Sequence, residues 1–224
     1  MKPRARMLLS AVSLLVIAGV SGAPASAAEI APHRAPILNA QPAGDQAKSD
    51  LRAGMRQQWS YHAWYTREYY VAAILGTANA DAAATRLLKN QEDIGTAIGQ
   101  YYGPEAGSKV TALLQDHIKI ATEVVGAAKA GDQAKLADAD ARWKQNFVDL
   151  ATLLSTANPS YFPYDQTLEL LNQHLSLLTT AVTSFIGGGY AQSVVDNDAY
   201  YQEILMMADF FTDGIIKHFP DKFQ

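Results

Sequence analysis

Three histidines and three aspartates recur along this chain at matching places. His62 is followed by Asp93, His117 by Asp149 and His174 by Asp209, at separations of 31, 32 and 35 residues. Successive histidines are 55 and 57 residues apart. Neutral imidazoles suit zinc, iron or copper, with carboxylates as further ligands or as orienting partners. The set therefore predicts either a transition-metal or small-ligand site, or three His–Asp pairs that hydrogen-bond between helices. Asn90, Asn146 and Thr66 lie on the same stripes and are expected to support the set. Neither Glu-x-x-His nor His-Glu-x-x-His occurs, so the usual di-iron and zinc-protease patterns are absent.

Catalytic constellations are weaker still. No Gly-x-Ser-x-Gly elbow occurs, and Gly187-Gly188-Gly189 lacks the Lys-Ser/Thr that a phosphate loop needs. A non-catalytic binding protein is the leading expectation. A structural or interaction bundle, with the His–Asp pairs as struts, comes second and an enzyme third.

The elements that carry these residues read as helices. Around His117 the apolar positions are Val110, Leu113, Leu114, Ile120, Ala121 and Val124; around His174 they include Leu170, Leu171, Leu177, Leu178 and Phe185. This is the i, i+3, i+4, i+7 stripe of a buried helix face. Gly and Pro punctuation divides the chain into six helices, near 50–75, 81–100, 105–130, 133–156, 165–186 and 191–218. The expected fold is all-α, a six-helix bundle built from three repeated helical hairpins. Asn90-x-x-Asp93-x-x-Thr96 recurs as Asn146-x-x-Asp149-x-x-Thr152 and partly as Met206-x-x-Asp209-x-x-Thr212. At a 1.5 Å rise per residue, each His and its Asp fall about 20 Å from their turn and so at one level.

Residues 1–27 combine a basic start, an apolar run from Met7 to Val20 and an Ala-x-Ala site. That is the pattern of a secretory signal peptide, and the run is short for the ~20 residues of a membrane span. Export to the envelope or medium is expected, with cleavage after Ala27; an uncleaved anchor is the alternative. Residues 28–48, with three prolines, read as a flexible lead-in, and 49–224 as the bundle domain. Loss of Lys2, Arg4 and Arg6 takes the net charge from −4 to −7. An acidic surface without a basic cluster disfavours nucleic acid. No later stretch suggests an integral membrane segment, leaving a small ligand or a partner protein. With no cysteine, the chain has neither disulfide nor thiolate chemistry. Six aromatic residues between Trp59 and Tyr70 spread around the first helix, so some are expected outside the core. Packing of the first hairpin accounts for them; an exposed docking patch is the alternative.

The segments Arg86-Leu-Leu-Lys-Asn-Gln-Glu-Asp-Ile-Gly, Tyr101-Tyr-Gly-Pro-Glu-Ala-Gly, His117-Ile-Lys-Ile-Ala and the closing Phe219-Pro-Asp-Lys-Phe resemble an uncharacterised family of small bacterial helical-bundle proteins. Its members are sometimes labelled glycosyltransferase or small-molecule kinase. The resemblance spans most of 50–224. It implies an all-α bundle and carries over no site residue. The chain shows no nucleotide-sugar-binding α/β pattern.

Overall fold

The computed structural model describes residues 44–224. The expected signal peptide, 1–27, and most of the lead-in lie outside the described residues. Six helices follow in order: α1 Gly44–Leu75, α2 Ala80–Tyr102, α3 Pro104–Ala130, α4 Gln133–Ala157, α5 Tyr164–Ile186 and α6 Tyr190–His218, with a 3-10 turn at Pro220–Phe223. Among the described residues there is no strand, so the all-α expectation holds. No described helix is long and apolar enough to cross a membrane.

Five of the six helices fall within a residue or two of their expected limits. The first starts earlier, at Gly44, so residues 44–48 belong to α1 rather than to a flexible lead-in. Two features support the extra turn. Asp45 lies in the first turn, where a carboxylate complements the helix dipole, and Lys48 pairs with it at 3.1 Å. Gly44 also packs against the end of the chain: a Cβ there would stand 3.2 Å from the Phe223 carbonyl.

The turn between α3 and α4 shows how sequence sets a boundary. Gly131 takes φ +68, and the N–H groups of Gly131 and Asp132 return to the carbonyls of Ala128 and Ala127. This is a Schellman closure. Asp132 then caps α4 by accepting from the Lys135 amide at 3.1 Å.

Each helix packs on the next, and α6 returns to α1. The core holds Met55, Tyr70, Ile94, Phe147, Tyr200, Ile204, Met207 and Ile215. At the α1–α6 seam, Arg52 and Arg56 clasp Asp209, Arg52 also reaches Asp213, and Ser60 meets Tyr201 at 3.0 Å. Helices α2 and α3 approach backbone to backbone: a Cβ on Gly107 would lie 2.6 Å from the Gly95 carbonyl and 2.8 Å from Gly99 Cα. Asn158, fully buried after α4, donates to the Tyr102 hydroxyl and the Gly214 carbonyl, tying α4 to α2 and α6.

The aromatic run of α1 divides as its angles require. Trp59 and Tyr70 enter the core, Arg86 lies over the rings of Tyr61 and Tyr65, and Trp64 is 67% exposed.

Candidate functional site

The three histidines come together. His62 stands on α1, His117 on α3 and His174 on α5, each 2% exposed. His174 is central: its ring centre lies 5.7 Å from that of His62 and 6.2 Å from that of His117. Aromatic rings pack around the group. His117 stacks on Phe147 at 4.7 Å, with Trp143 at 5.2 Å, while His174 contacts Tyr200 and His62 contacts Trp59.

The three aspartates do not join them, and the expected His–Asp pairs do not form. Asp93 pairs with Arg86 and Lys89 at the surface. Asp149 is exposed and accepts from Gln145. Asp209 is held by Arg52 and Arg56, whose hydrogen bonds and charge keep its carboxyl below the usual range. The partners across the hairpins are instead Gln91 and Glu203, each 29 residues beyond its histidine. Gln91 Nε2 lies 3.3 Å from His62 Nδ1, and Glu203 Oε2 lies 3.0 Å from His174 Nδ1. Asn146 stands beside His117 at the same separation, but its geometry closes no hydrogen bond, so His117 Nδ1 and Asn146 Oδ1 are both unpartnered.

Helix geometry explains why the aspartates miss the histidines. With about 100° per residue, Asp93 is turned roughly 200° from Gln91 on α2, and Asp209 roughly 240° from Glu203 on α6. Facing residues therefore sit one position for each pair, and the aspartates fall off that line. A constant spacing of 29 to a Gln, Asn or Glu was the readable signal; the drifting separations of the aspartates were a warning. For Glu203, the flanking stripe of Tyr200, Ile204 and Met207 marks an inward face.

Asn90 and Asn146 hold their helices in register. Each donates to a carbonyl four residues before a histidine: Asn90 to Gln58 and Asn146 to Leu113, both at 3.0 Å.

Protonation follows from these contacts. Gln91 Nε2 also donates to the Leu87 carbonyl at 2.8 Å, which fixes the amide with its nitrogen toward His62. His62 Nδ1 is therefore an acceptor, and the neutral ring carries its proton on Nε2. Burial, followed by the neighbouring His174, pushes the His62 pKa down to about 3. Burial, then His174 and His62, holds His117 well below its ordinary value.

A cavity of about 120 Å³ meets this cluster. His62, Thr66, His117 and Trp143 line it, with apolar walls from Val125 and Leu178 among others. Three of its lining residues each hold a buried polar atom without a partner: Thr66 Oγ1, His117 Nδ1 and Trp143 Nε1. Thr66 faces the Tyr200 hydroxyl, which is also left unpartnered, without closing a bond to it. Leaving such a group unsatisfied costs about 1–3 kcal/mol. These atoms have almost no accessible surface of their own, so the wall the cavity presents is predominantly apolar.

The histidine cluster is poorly suited to a metal. Among the described residues no group of three or more His, Asp or Glu is placed to hold an ion. His62 already spends Nδ1 on Gln91 and carries hydrogen on Nε2. Only His174, with Nδ1 turned to a carboxylate, has the familiar orientation of a ligating imidazole.

Two Asp-x-Asp pairs also bear on the transferase label. Asp138 and Asp140 lie on α4, and Asp196 and Asp198 on α6. Residues two apart on a helix do not face each other. Asp138 bonds Arg142, Asp140 bonds Lys144 and Asp196 bonds Ser184. No paired carboxylate site results.

Comparison with protein-family models, curated proteins and solved structures gives no match for this chain.

Proposed function

We propose that the chain is an exported, non-catalytic binding protein that takes a small ligand into the cavity beside His62 and His117. The supporting observation is an unfilled, predominantly apolar cavity of about 120 Å³ beside two buried imidazoles. A purely mechanical core would fill that space. Export rests on the signal-like sequence of residues 1–27. The three aspartates are engaged elsewhere, which disfavours a zinc, iron or copper site built from three histidines and three aspartates.

The same reading treats the three successive helix pairs as copies of one unit. Its support is the 29-residue spacing from each histidine to Gln91, Asn146 or Glu203, and the matching roles of Asn90 and Asn146. Duplication of a hairpin would place one imidazole from each copy at a common centre.

A second reading is a structural or interaction bundle. It is favoured by the bonds His62–Gln91 and His174–Glu203, which already satisfy two of the rings between helices. Xenon distinguishes the two, because it enters accessible apolar cavities without needing polar partners. Under xenon pressure, the methyl resonances of Val125, Leu178 and Val182 are expected to shift saturably. Val125→Phe, which fills the space, is expected to abolish the shift. Absence of saturable shifts in the unaltered protein would overturn the ligand reading in favour of the bundle.

A further inference from the structure

We infer that the cavity receives the apolar tail of a small amphiphile, tail first, and leaves its polar head at the solvent end beside Ile186. This rests on the small-ligand reading above and adds the class of ligand and its direction of entry.

The shape of the wall comes first. Helix α5 packs closely on α4 and α6 but only lightly on α1, and the cavity occupies the space between α1, α3 and α5. On α5 its lining residues Leu178, Val182 and Ile186 stand one turn apart, a span of about 12 Å along the axis. On α3 the wall runs from His117 to Ala128, about 16 Å.

Exposure changes along that span. His62, His117 and Leu178 are at most 4% exposed, Val182 is 9% exposed and Ile186 is 37% exposed. Thr179 and Thr183, also in the wall, are exposed as well. The cavity therefore opens to solvent toward the end of α5 and closes at the histidines.

Chemistry follows from that gradient. The wall is predominantly apolar and includes no Lys, Arg, Asp or Glu. Burial, together with the neighbouring His174, keeps His62 and His117 neutral. A charged or strongly polar group carried to the closed end would lose its hydration without meeting a partner. A hydrocarbon chain gains with every methylene it buries there. A molecule that is apolar at one end only satisfies both conditions, because its head stays in water. A cavity of about 120 Å³, set against the ~150 Å³ that accommodates the six carbons of benzene, has room for a tail of about five or six carbons.

The experiment titrates the full protein with straight-chain alcohols and follows NMR shifts. From 1-propanol to 1-hexanol, affinity is expected to rise about 3–4-fold per methylene and then to level off as the space fills. The diol 1,6-hexanediol, which must carry a hydroxyl to the closed end, is expected to bind at least ~10-fold more weakly than 1-hexanol. Hexanoate and hexylammonium are expected to bind within about 3-fold of each other, since both heads remain hydrated. Ile186→Lys, at the exposed end, is expected to tilt that ratio at least about 5-fold toward hexanoate at low salt. Binding of both hexanoate and dihexanoylphosphatidylcholine would assign the tail to a lipid; binding of hexanoate alone would assign it to a free single-chain amphiphile. Xenon uptake reports whether the variant retains the fold and the cavity. If xenon enters but the diol binds as tightly as 1-hexanol, or Ile186→Lys leaves the ratio unchanged, tail-first entry is overturned and the cavity reading stands. If neither xenon nor any probe enters, both readings fall together.

Discussion

His174 Nδ1 stands 3.0 Å from Glu203 Oε2, and neither residue is more than 2% exposed. Glu203 is therefore a core residue whose polarity is tolerated only because the imidazole meets it. Its second oxygen has no partner. A pair of this kind is strongly destabilising to break and far less so to replace whole by apolar groups.

Glu203→Leu is accordingly expected to lower unfolding stability by about 2–4 kcal/mol at pH 7, by stranding His174. Glu203→Gln, which can still accept from Nδ1, is expected to lose less. The double variant His174→Phe/Glu203→Leu is expected to recover most of the loss. Urea unfolding of the three proteins checks the order. A single Leu variant as stable as the unaltered protein would show that the pair carries no weight.

Acid should unfold the protein through its buried imidazoles. Folded His62 takes a proton only near pH 3, whereas an unfolded histidine does so near 6.5. Unfolding therefore takes up a proton between those values, and stability is complete above pH 6.5 and falls as the pH drops toward 3. From pH 7 to pH 5 the loss from His62 is roughly 2 kcal/mol, and His117 acts in the same direction. The check is urea unfolding at a series of pH values, with His62→Gln expected to flatten the slope. A stability that is level from pH 7 to 5 would contradict the burial argument.

Backbone contact between α2 and α3 predicts an intolerance of small additions. A methyl on Gly107 would meet the Gly95 carbonyl at 2.6 Å and Gly99 Cα at 2.8 Å. The obstacle is main chain on both sides, so no rotamer relieves it. Gly107→Ala is expected to cost about 1–3 kcal/mol, despite the better helix propensity of alanine. Gly54→Ala, where nothing lies within 4 Å, is expected to be neutral or stabilising. Thermal melts of the two variants compare them directly, and equal melting temperatures would disprove the close approach.

Much of this was legible from periodicity. The stripes around His117 and His174 turn inward as their spacing requires, and the Gly and Pro stops mark five helices closely. Asn90 and Asn146 were recognisable as equivalent, although their task is to bond carbonyls rather than to support aspartates. The aspartates misled because a carboxylate near an apolar stripe looks like a partner, while its true direction depends on rotations of 100° per residue that accumulate over six positions between Glu203 and Asp209. In the sequence, the neighbours Leu205, Met206 and Ile216 argue for burial of Asp209; Met206 is instead 55% exposed, and Arg52 and Arg56 draw the carboxylate to the seam. Convergence of three separate helices on His174 was beyond any single stretch of sequence, as was the cavity, since both depend on how neighbouring helices settle against one another.

The contact between Gly44 and the Phe223 carbonyl has a topological meaning. Because α6 returns to α1, the helices run as a closed circuit, and the join between last and first is only one among six seams. Which seam is left uncovalent should then matter little to the packed state. Joining Gln224 to Gly44 through a few glycines, and opening the chain in the exposed turn at Gly188, is expected to give a permuted protein with the same helical content and a cooperative melt. Circular dichroism would decide it. A permutant that fails to fold would mean that the order of synthesis, and not the finished circuit alone, selects the arrangement around His174.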